Sequence, residues 1–156
     1  MPPTIAAMAA RSTTGHASGA APSALELALE RVGDRWSLLL VEALLDGAAR
    51  FNDLGDRIAG IAPNILADRL RRLEREGVVV SRPYSERPPR MEYQLTAAGR
   101  DLAGALRLLA DWGARRSADH EPLRHEVCGT PLEARWYCPT CTVVVDEAAA
   151  SEARVL

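Results

Sequence analysis

The tightest constraint in this sequence is the order of its punctuation: four apolar helical patterns, each closed by glycine, run directly into a single hairpin. Ser23 is a capping residue, and Leu25, Leu27, Leu29 and Val32 follow it until Gly33 stops the segment. Asp34 then caps a second helix in which Trp36, Leu39, Leu40, Ala43 and Leu44 recur at helical spacing before Gly47. After Ala49-Arg50-Phe51, a short third helix is expected from about Asn52 to Ile58, with Gly60 as terminator. The fourth starts near Pro63, a favoured first-turn residue, and carries Leu66, Leu70 and Leu73 to Gly77. Val78 to Tyr84 is then β-branched and extended, Ser85-Glu86-Arg87-Pro88-Pro89 turns the chain, and Arg90 to Leu95 alternates with period two. The spacing sets Tyr84 and Tyr93 facing each other across this hairpin. Thr96 caps a last long helix bearing Leu102, Leu106, Leu109 and Trp112.

Helices followed by a hairpin with an arginine- and proline-rich tip are the order of a winged helix-turn-helix. The fold class expected is mainly α with a small β-hairpin wing, plus a small β segment of zinc-ribbon type at the C-terminus. The division is a flexible leader over 1–21 and a DNA-binding and dimerisation domain over 22–118. A Cys/His segment over 119–146 and a tail over 147–156 follow. The leader is alanine, serine, threonine, proline and glycine with one arginine, Arg11; His16 lies in it.

Composition narrows the chemistry. The 156 residues are 47% hydrophobic and 26% charged, with a net charge of −2, an ordinary globular make-up. All 19 basic residues are arginine, so a lysine Schiff base and the phosphate-cradling lysine of a P-loop are excluded. His16, His120 and His125 are the whole histidine supply, which leaves general-base catalysis few candidates. An enzyme is not expected. No apolar run reaches the roughly 18 to 20 residues of a membrane helix, and the best one, Trp36 to Leu45, is interrupted by Glu42. The N-terminus has the reverse of a signal peptide's charge order, so a cytoplasmic protein with reduced cysteines is expected.

The fourth helix has the pattern of a reader of DNA. With Leu66 at 0° and about 100° per residue, Leu70 and Leu73 complete a buried stripe. Asn64, Asp68, Arg71 and Arg75 fall on the opposite side, flanked by Ala67 and Arg72. Asn64 is suited to adenine and Arg71 to guanine or phosphate, while Ala67 permits close approach. Asp68 repels phosphate, so it pairs with Arg71 or Arg72 or accepts from cytosine. A solvated amphipathic helix laced with ion pairs is the plainer alternative. Against it, residues 64–90 hold seven arginines and four acids, a local charge of +3 in a chain that is negative overall. Arginines on both helix and wing are what two-point phosphate gripping requires. The expected DNA contacts are Asn64, Ala67, Asp68, Arg71 and Arg72 in the major groove, with Arg82, Arg87 and Arg90 on phosphates or the minor groove.

The ordered set Val32-Gly33-Asp34-Arg35-Trp36, Arg50-Phe51-Asn52-Asp53-Leu54, Leu70-Arg71-Arg72-Leu73-Glu74-Arg75-Glu76-Gly77-Val78-Val79, Arg87-Pro88-Pro89-Arg90-Met91-Glu92-Tyr93 and Leu95-Thr96-Ala97-Ala98-Gly99 resembles the HxlR family of bacterial winged-helix regulators over roughly residues 22–118. The resemblance implies a homodimeric transcriptional regulator whose first and last helices form much of the dimer contact. Many members carry a cysteine ten residues before the Gly-Asp of the second helix, used for thiol sensing in some; Ser23 stands there in this chain, so that switch is expected to be absent. The apolar stripe of the terminal helix supports a dimer independently: Leu102, Leu106, Leu109 and Trp112 are more than a small winged domain covers alone, and Leu25 joins them through the first-helix contact that the resemblance implies. Trp36 and Trp112 are read first as core or interface packing, with a small-molecule effector site between them as the alternative.

The three cysteines all come late. His125-x-x-Cys128-Gly129 and Cys138-Pro139-Thr140-Cys141 are two ligand pairs of equal spacing, the arrangement of two knuckles around a structural Zn²⁺. His120, Asp146 and Glu147 are alternatives to His125 as fourth ligand. A redox Cys-x-x-Cys lacks the βαβ setting of thioredoxins. The function expected is a sequence-specific DNA-binding regulator, a repressor, acting as a homodimer on an inverted repeat, with double-stranded DNA and itself as partners and no membrane. Two other classes remain: a zinc- or thiol-responsive protein-interaction module and, third, a zinc hydrolase with Glu126 or Glu133 as base.

Overall fold

A computed structural model of the chain describes residues 21–86 and 89–145. The elements are α1 (Ala24–Val32), α2 (Arg35–Leu45), β1 (Ala49–Arg50), α3 (Phe51–Arg57), α4 (Pro63–Arg75), β2 (Val79–Glu86), β3 (Pro89–Leu95), α5 (Ala97–Asp101), α6 (Ala103–Ala114), β4 (Trp136–Cys138) and β5 (Val143–Val145). Their order is that of a winged helix-turn-helix, with α3 and α4 as the two-helix unit and β2–β3 as the wing. The leader, Arg11, His16, Arg87, Asp146, Glu147 and the tail lie outside the described residues.

Local chemistry sets the helix ends. Ser23 and Glu26 form a reciprocal capping box: the Glu26 amide donates to Ser23 Oγ (3.2 Å) and the Ser23 amide to Glu26 Oε2 (2.6 Å). Asp34 caps α2 by accepting from the amides of Trp36 and Ser37, each at 3.1 Å. Thr96 caps α5 and also donates its hydroxyl to Gly77 O (2.6 Å), tying the wing's exit to the end of α4. The last helix is not one uninterrupted element; it divides at Leu102 into α5 and α6.

One core holds these parts together. Leu40, Val41 and Leu44 from α2, Leu54 from α3, and Leu66, Leu70 and Leu73 from α4 are fully or almost fully buried. Val78, Val79 and Leu95 close the core from the wing. The wing is three-stranded, in the order β1-β3-β2, because Ala49 pairs with Tyr93 and Arg50 with Glu92. Opposed residues share a face, so Val79, Ser81, Tyr93, Leu95 and Ala49 look inward, and Arg82, Glu92 and Arg50 form one outward row. Tyr93 does not face Tyr84. Its cross-strand neighbour is Ser81, in the regular register that runs from Val79 and Leu95 to Pro83 and Met91, and Tyr84 stands three residues farther along β2, at the shift between Pro83 and Ser85. Tyr84 instead lies under the guanidinium of Arg50, 4.3 Å from the ring centre.

A polar fixture joins the α1–α2 corner to the back of α4. Arg69 Nε donates to Asp34 Oδ1 (3.0 Å), Ser37 Oγ donates to Asp34 Oδ2 (2.6 Å), and Ser37 is fully buried. Arg72 donates to Glu30 O, a carbonyl in the last turn of α1, and its guanidinium also stands 3.9 Å from Asp34 Oδ2. Arg31 and Glu76 extend the fixture at 3.9 Å. Partial burial pushes the Asp34 carboxyl up, but the hydroxyl and amide of Ser37 and the guanidinium of Arg69 outweigh it and hold the group below its ordinary value.

Two predictions follow from this packing. A Cβ on buried Gly99 would stand 2.2 Å from Val78 O, so Gly99→Ala should destabilise the chain by about 2 kcal/mol or more in chemical denaturation. Asp34→Asn keeps the helix cap and removes the charge, and should cost about 1 kcal/mol at neutral pH. Because the folded carboxyl is held below its unfolded value, its contribution is complete above that value and is lost as pH falls through the folded one. Denaturation of both proteins across pH 7 to 3 should therefore show the gap closing in acid; a constant gap would contradict the fixture.

Candidate nucleic-acid interface

The buried leucine stripe of α4 determines what the helix presents outward. With Leu66, Leu70 and Leu73 in the core, Asn64, Asp68, Arg71 and Arg75 are exposed together, and Ala67 is half-buried beside them. Pro63 begins the helix and its outward face starts at the next residue, so Asn64 sits in the first turn, the end a recognition helix sends deepest into a groove. Asp68 does not pair with Arg71 or Arg72. Its partner is Arg69, at 2.5 Å, which leaves Arg71 without a carboxylate among the described contacts. Arg71 does reach the electrostatic field of the wing: burial pushes the Tyr93 phenol up, Glu74 adds to this, and Arg71 opposes it.

Arg72 is placed differently from the expectation. It lies about 240° from Leu66 on the helix wheel, over the corner occupied by α1, and its guanidinium is engaged by Glu30 O and Asp34. The structure thus separates the arginines of α4 into an outward pair, Arg71 and Arg75, and an inward pair, Arg69 and Arg72. Arg75 was legible as part of the outward face from its position on the same wheel.

On the wing, Arg82 and Arg90 are exposed, and Arg87 falls outside the described residues. Arg82 shares its outward row with Glu92 and Arg50. Sequence reading did not reach Arg50, since its place beside the wing depends on a two-residue strand paired to β3, forty residues away. The only sequence signal for it was the extended Ala49-Arg50 step between two helices.

The expected dimer residues divide in two. Leu25, Leu109 and Trp112 are exposed (67%, 52% and 56%), joined by Leu27, Leu29 and Leu108. Leu102 and Leu106 pack partly into the chain's own core, on the inner side of the same helix. The two tryptophans stand in different settings. Trp36 is half-buried against the core under Arg35, and Trp112 is exposed under Arg116. A cavity of about 350 Å³ lies instead between α2, α6 and the segment after it, walled by Leu45, Leu106, Ala110 and Leu123.

Beyond α6, the Leu123 amide donates to Asp111 Oδ1 (3.0 Å), which seats the segment on the helix. His125 Nδ1 stands 3.3 Å from Cys128 Sγ, and the Cys128 thiol hydrogen-bonds the Thr130 hydroxyl at 3.2 Å. The side chain and amide of Thr130, with His125, bring the Cys128 thiol down to about 7. Hydrogen bonds with Cys141 likewise lower the Cys138 thiol. His120 is engaged elsewhere, with Ser117 Oγ at 3.0 Å. The expected metal ligands therefore stand as two pairs; among the described residues no three His, Cys, Asp or Glu side chains form one coordination shell. Among the same residues, no helix is long and apolar enough to cross a membrane.

Comparison with known proteins agrees with this geometry. The family model of the HxlR-like helix-turn-helix matches residues 31–121. The uncharacterized HTH-type transcriptional regulator Rv3095 of Mycobacterium tuberculosis is 42% identical over 118 residues, spanning 73% of this chain and 74% of that one. YdeP of Bacillus subtilis, also an uncharacterized HTH-type transcriptional regulator, is 36% identical over 91 residues, 58% of this chain and 71% of its own. The solved structure of PA1607 superposes with a TM-score of 0.68 at 30% identity, covering 87% of this chain and 95% of that one. The chain belongs to the HxlR-like helix-turn-helix family, whose members are non-enzymatic, DNA-binding regulators of transcription.

Proposed function

We propose that the chain is a sequence-specific repressor that binds an inverted-repeat operator as a homodimer, with α4 in the major groove and the wing on the flanking backbone. The observation that carries this reading is the outward face of α4. Asn64, Arg71 and Arg75 project from a helix whose roll is fixed by three buried leucines, next to a wing bearing Arg50, Arg82 and Arg90. Asn64 and Arg71 are the side chains suited to adenine and guanine edges, and the half-buried Ala67 between them allows the helix to approach. The wing arginines supply sequence-independent phosphate attraction. Arg72 positions α4 in this reading and does not enter the groove.

The dimer reading is supported by the exposed leucines of α1 and by Leu108, Leu109 and Trp112 of α6, an apolar surface that a second copy would cover. Two copies related by a two-fold axis would offer their α4 helices to half-sites about 34 to 36 Å apart. A dimer seated on an operator blocks polymerase without further contacts, hence repression. The expected zinc ion belongs to the Cys/His segment and has no part in DNA contact. An effector has as its candidate site the cavity beside Leu45 and Leu123, which neither tryptophan lines.

Fluorescence anisotropy with DNA from upstream of the chain's own gene tests the DNA reading. Binding at about 10⁻⁸ M near physiological salt, with scrambled DNA far weaker, is expected. Arg71→Ala should lose about 1 to 3 kcal/mol and relax one base preference, whereas Arg82→Ala should weaken all sequences alike and flatten the salt dependence by about one ion. Equal affinity for operator and scrambled DNA would contradict it. For the dimer, Trp112→Glu should shift the species seen by sedimentation from two copies to one and weaken operator binding by about tenfold or more. An unchanged sedimentation coefficient would place the interface elsewhere.

A further inference from the structure

Among the described residues, 118–145 contain no buried side chain, yet they hold a defined hydrogen-bonded form. His125 donates its amide to Thr130 O (2.9 Å), Gly129 donates to His125 O (2.8 Å), and Leu132 donates to Leu123 O (2.7 Å). Farther on, Trp136 pairs with Val145 and Cys138 with Val143. Val127, Trp136, Tyr137, Val143 and Val144 all remain exposed, so little apolar burial offsets the entropy of ordering this segment.

Its two turns are built alike. In each, a ligand-type residue is followed three positions later by a cysteine, and the residue after that cysteine takes the left-handed conformation. In the first turn these are His125, Cys128 and Gly129, with φ of 68°. In the second they are Cys138, Cys141 and Thr142, with φ of 56°. Glycine takes that conformation freely, but a β-branched threonine does so at a cost, and Thr142 is the one non-glycine residue with positive φ among those described. Such a turn brings the cysteine's sulfur back beside the donor that precedes it. His125 Nδ1 and Cys128 Sγ are already side by side at 3.3 Å.

We propose that these turns are two halves of one structural Zn²⁺ site, in which His125, Cys128, Cys138 and Cys141 provide the four donors. Three sulfurs and one imidazole are the soft and borderline ligands that Zn²⁺ selects, and four protein donors leave no open position for chemistry. The metal's part is to draw the two pairs, which stand apart in this structure, into one shell. That closure replaces the missing core of 118–145 and gives the strained Thr142 its reason. The positions of the pairs favour it: one lies in the turn between Arg124 and Pro131, which are bridged, and the other in the turn joining β4 to β5, with only a short tether between.

The test uses the full chain, purified under reducing conditions without an affinity-tag metal and loaded with Zn²⁺ or Co²⁺. Elemental analysis after removal of loose metal should give about one zinc per chain, and the Co²⁺ form should show the absorption of a tetrahedral site with thiolate ligands. Cys138→Ser and Cys141→Ser should each reduce retained zinc at least about tenfold, and His125→Ala should do the same while weakening the tetrahedral spectrum. The winged domain reports on folding throughout, because operator binding should survive these changes. Less than about a tenth of an equivalent of zinc in the unaltered chain, or full occupancy in Cys138→Ser, would overturn the site. Full occupancy in His125→Ala would overturn this four-donor set.

Discussion

The roll of α4 about its own axis is the constraint on which the rest of the molecule depends. Leu66, Leu70 and Leu73 are each no more than 1% exposed, and together they leave that helix one orientation against α2, α3 and the wing. Losing such a leucine costs several kcal/mol, a large share of a small domain's stability, so the stripe outweighs any surface ion pair in setting the orientation. The chemistry of the outward face is a consequence. A rotation of one residue, about 100°, would carry Arg72 toward the groove and bury Arg71.

Asp34 refines what the leucines begin. It caps α2 and holds Arg69 with the same carboxylate, while Arg72 reaches across to the last turn of α1. The corner that carries the exposed leucines of α1 is thereby joined to the rear of α4. In a two-fold dimer built on those leucines, this joint sets the distance and tilt between reading helices, which a palindromic site measures directly. In that arrangement, side chains that never meet DNA would shape specificity alongside Asn64 and Arg71.

Much of this fold was legible because its determinants are local. The capping box at Ser23, the Asp34 cap, Pro63 at the start of α4 and the leucine period each act within a few residues of chain, and each predicts its own element. What escaped was carried by distant pairing. Ala49–Arg50 is a strand only because β3 lies beside it, so Arg50 could not be placed on the wing from its neighbours. The same holds for Arg72, whose acceptor is forty-two residues away, and for Tyr84, which stands three residues along β2 from the position opposite Tyr93 and meets Arg50 of β1. The exposed face of α4 and its charge were legible from the leucine period, while the contacts that engage Arg72 and bring Arg50 to the wing lie in no single window of sequence. The Cys/His segment is the inverse case. Its paired spacing is plain in sequence, while the apolar residues around it have no core to enter.

The most direct measurement is a photocrosslinking scan along α4, with a benzoylphenylalanine introduced singly at positions 64 to 75 and the operator duplex as target. The account predicts crosslinks to bases at 64, 68 and 71 and to the backbone at 75, with silence at 69 and 72, the side held by Asp34 and α1. Crosslinks at 69 and 72 with silence at 64 and 71 would contradict it, because the helix would then meet DNA with the face that this structure fastens to its own core.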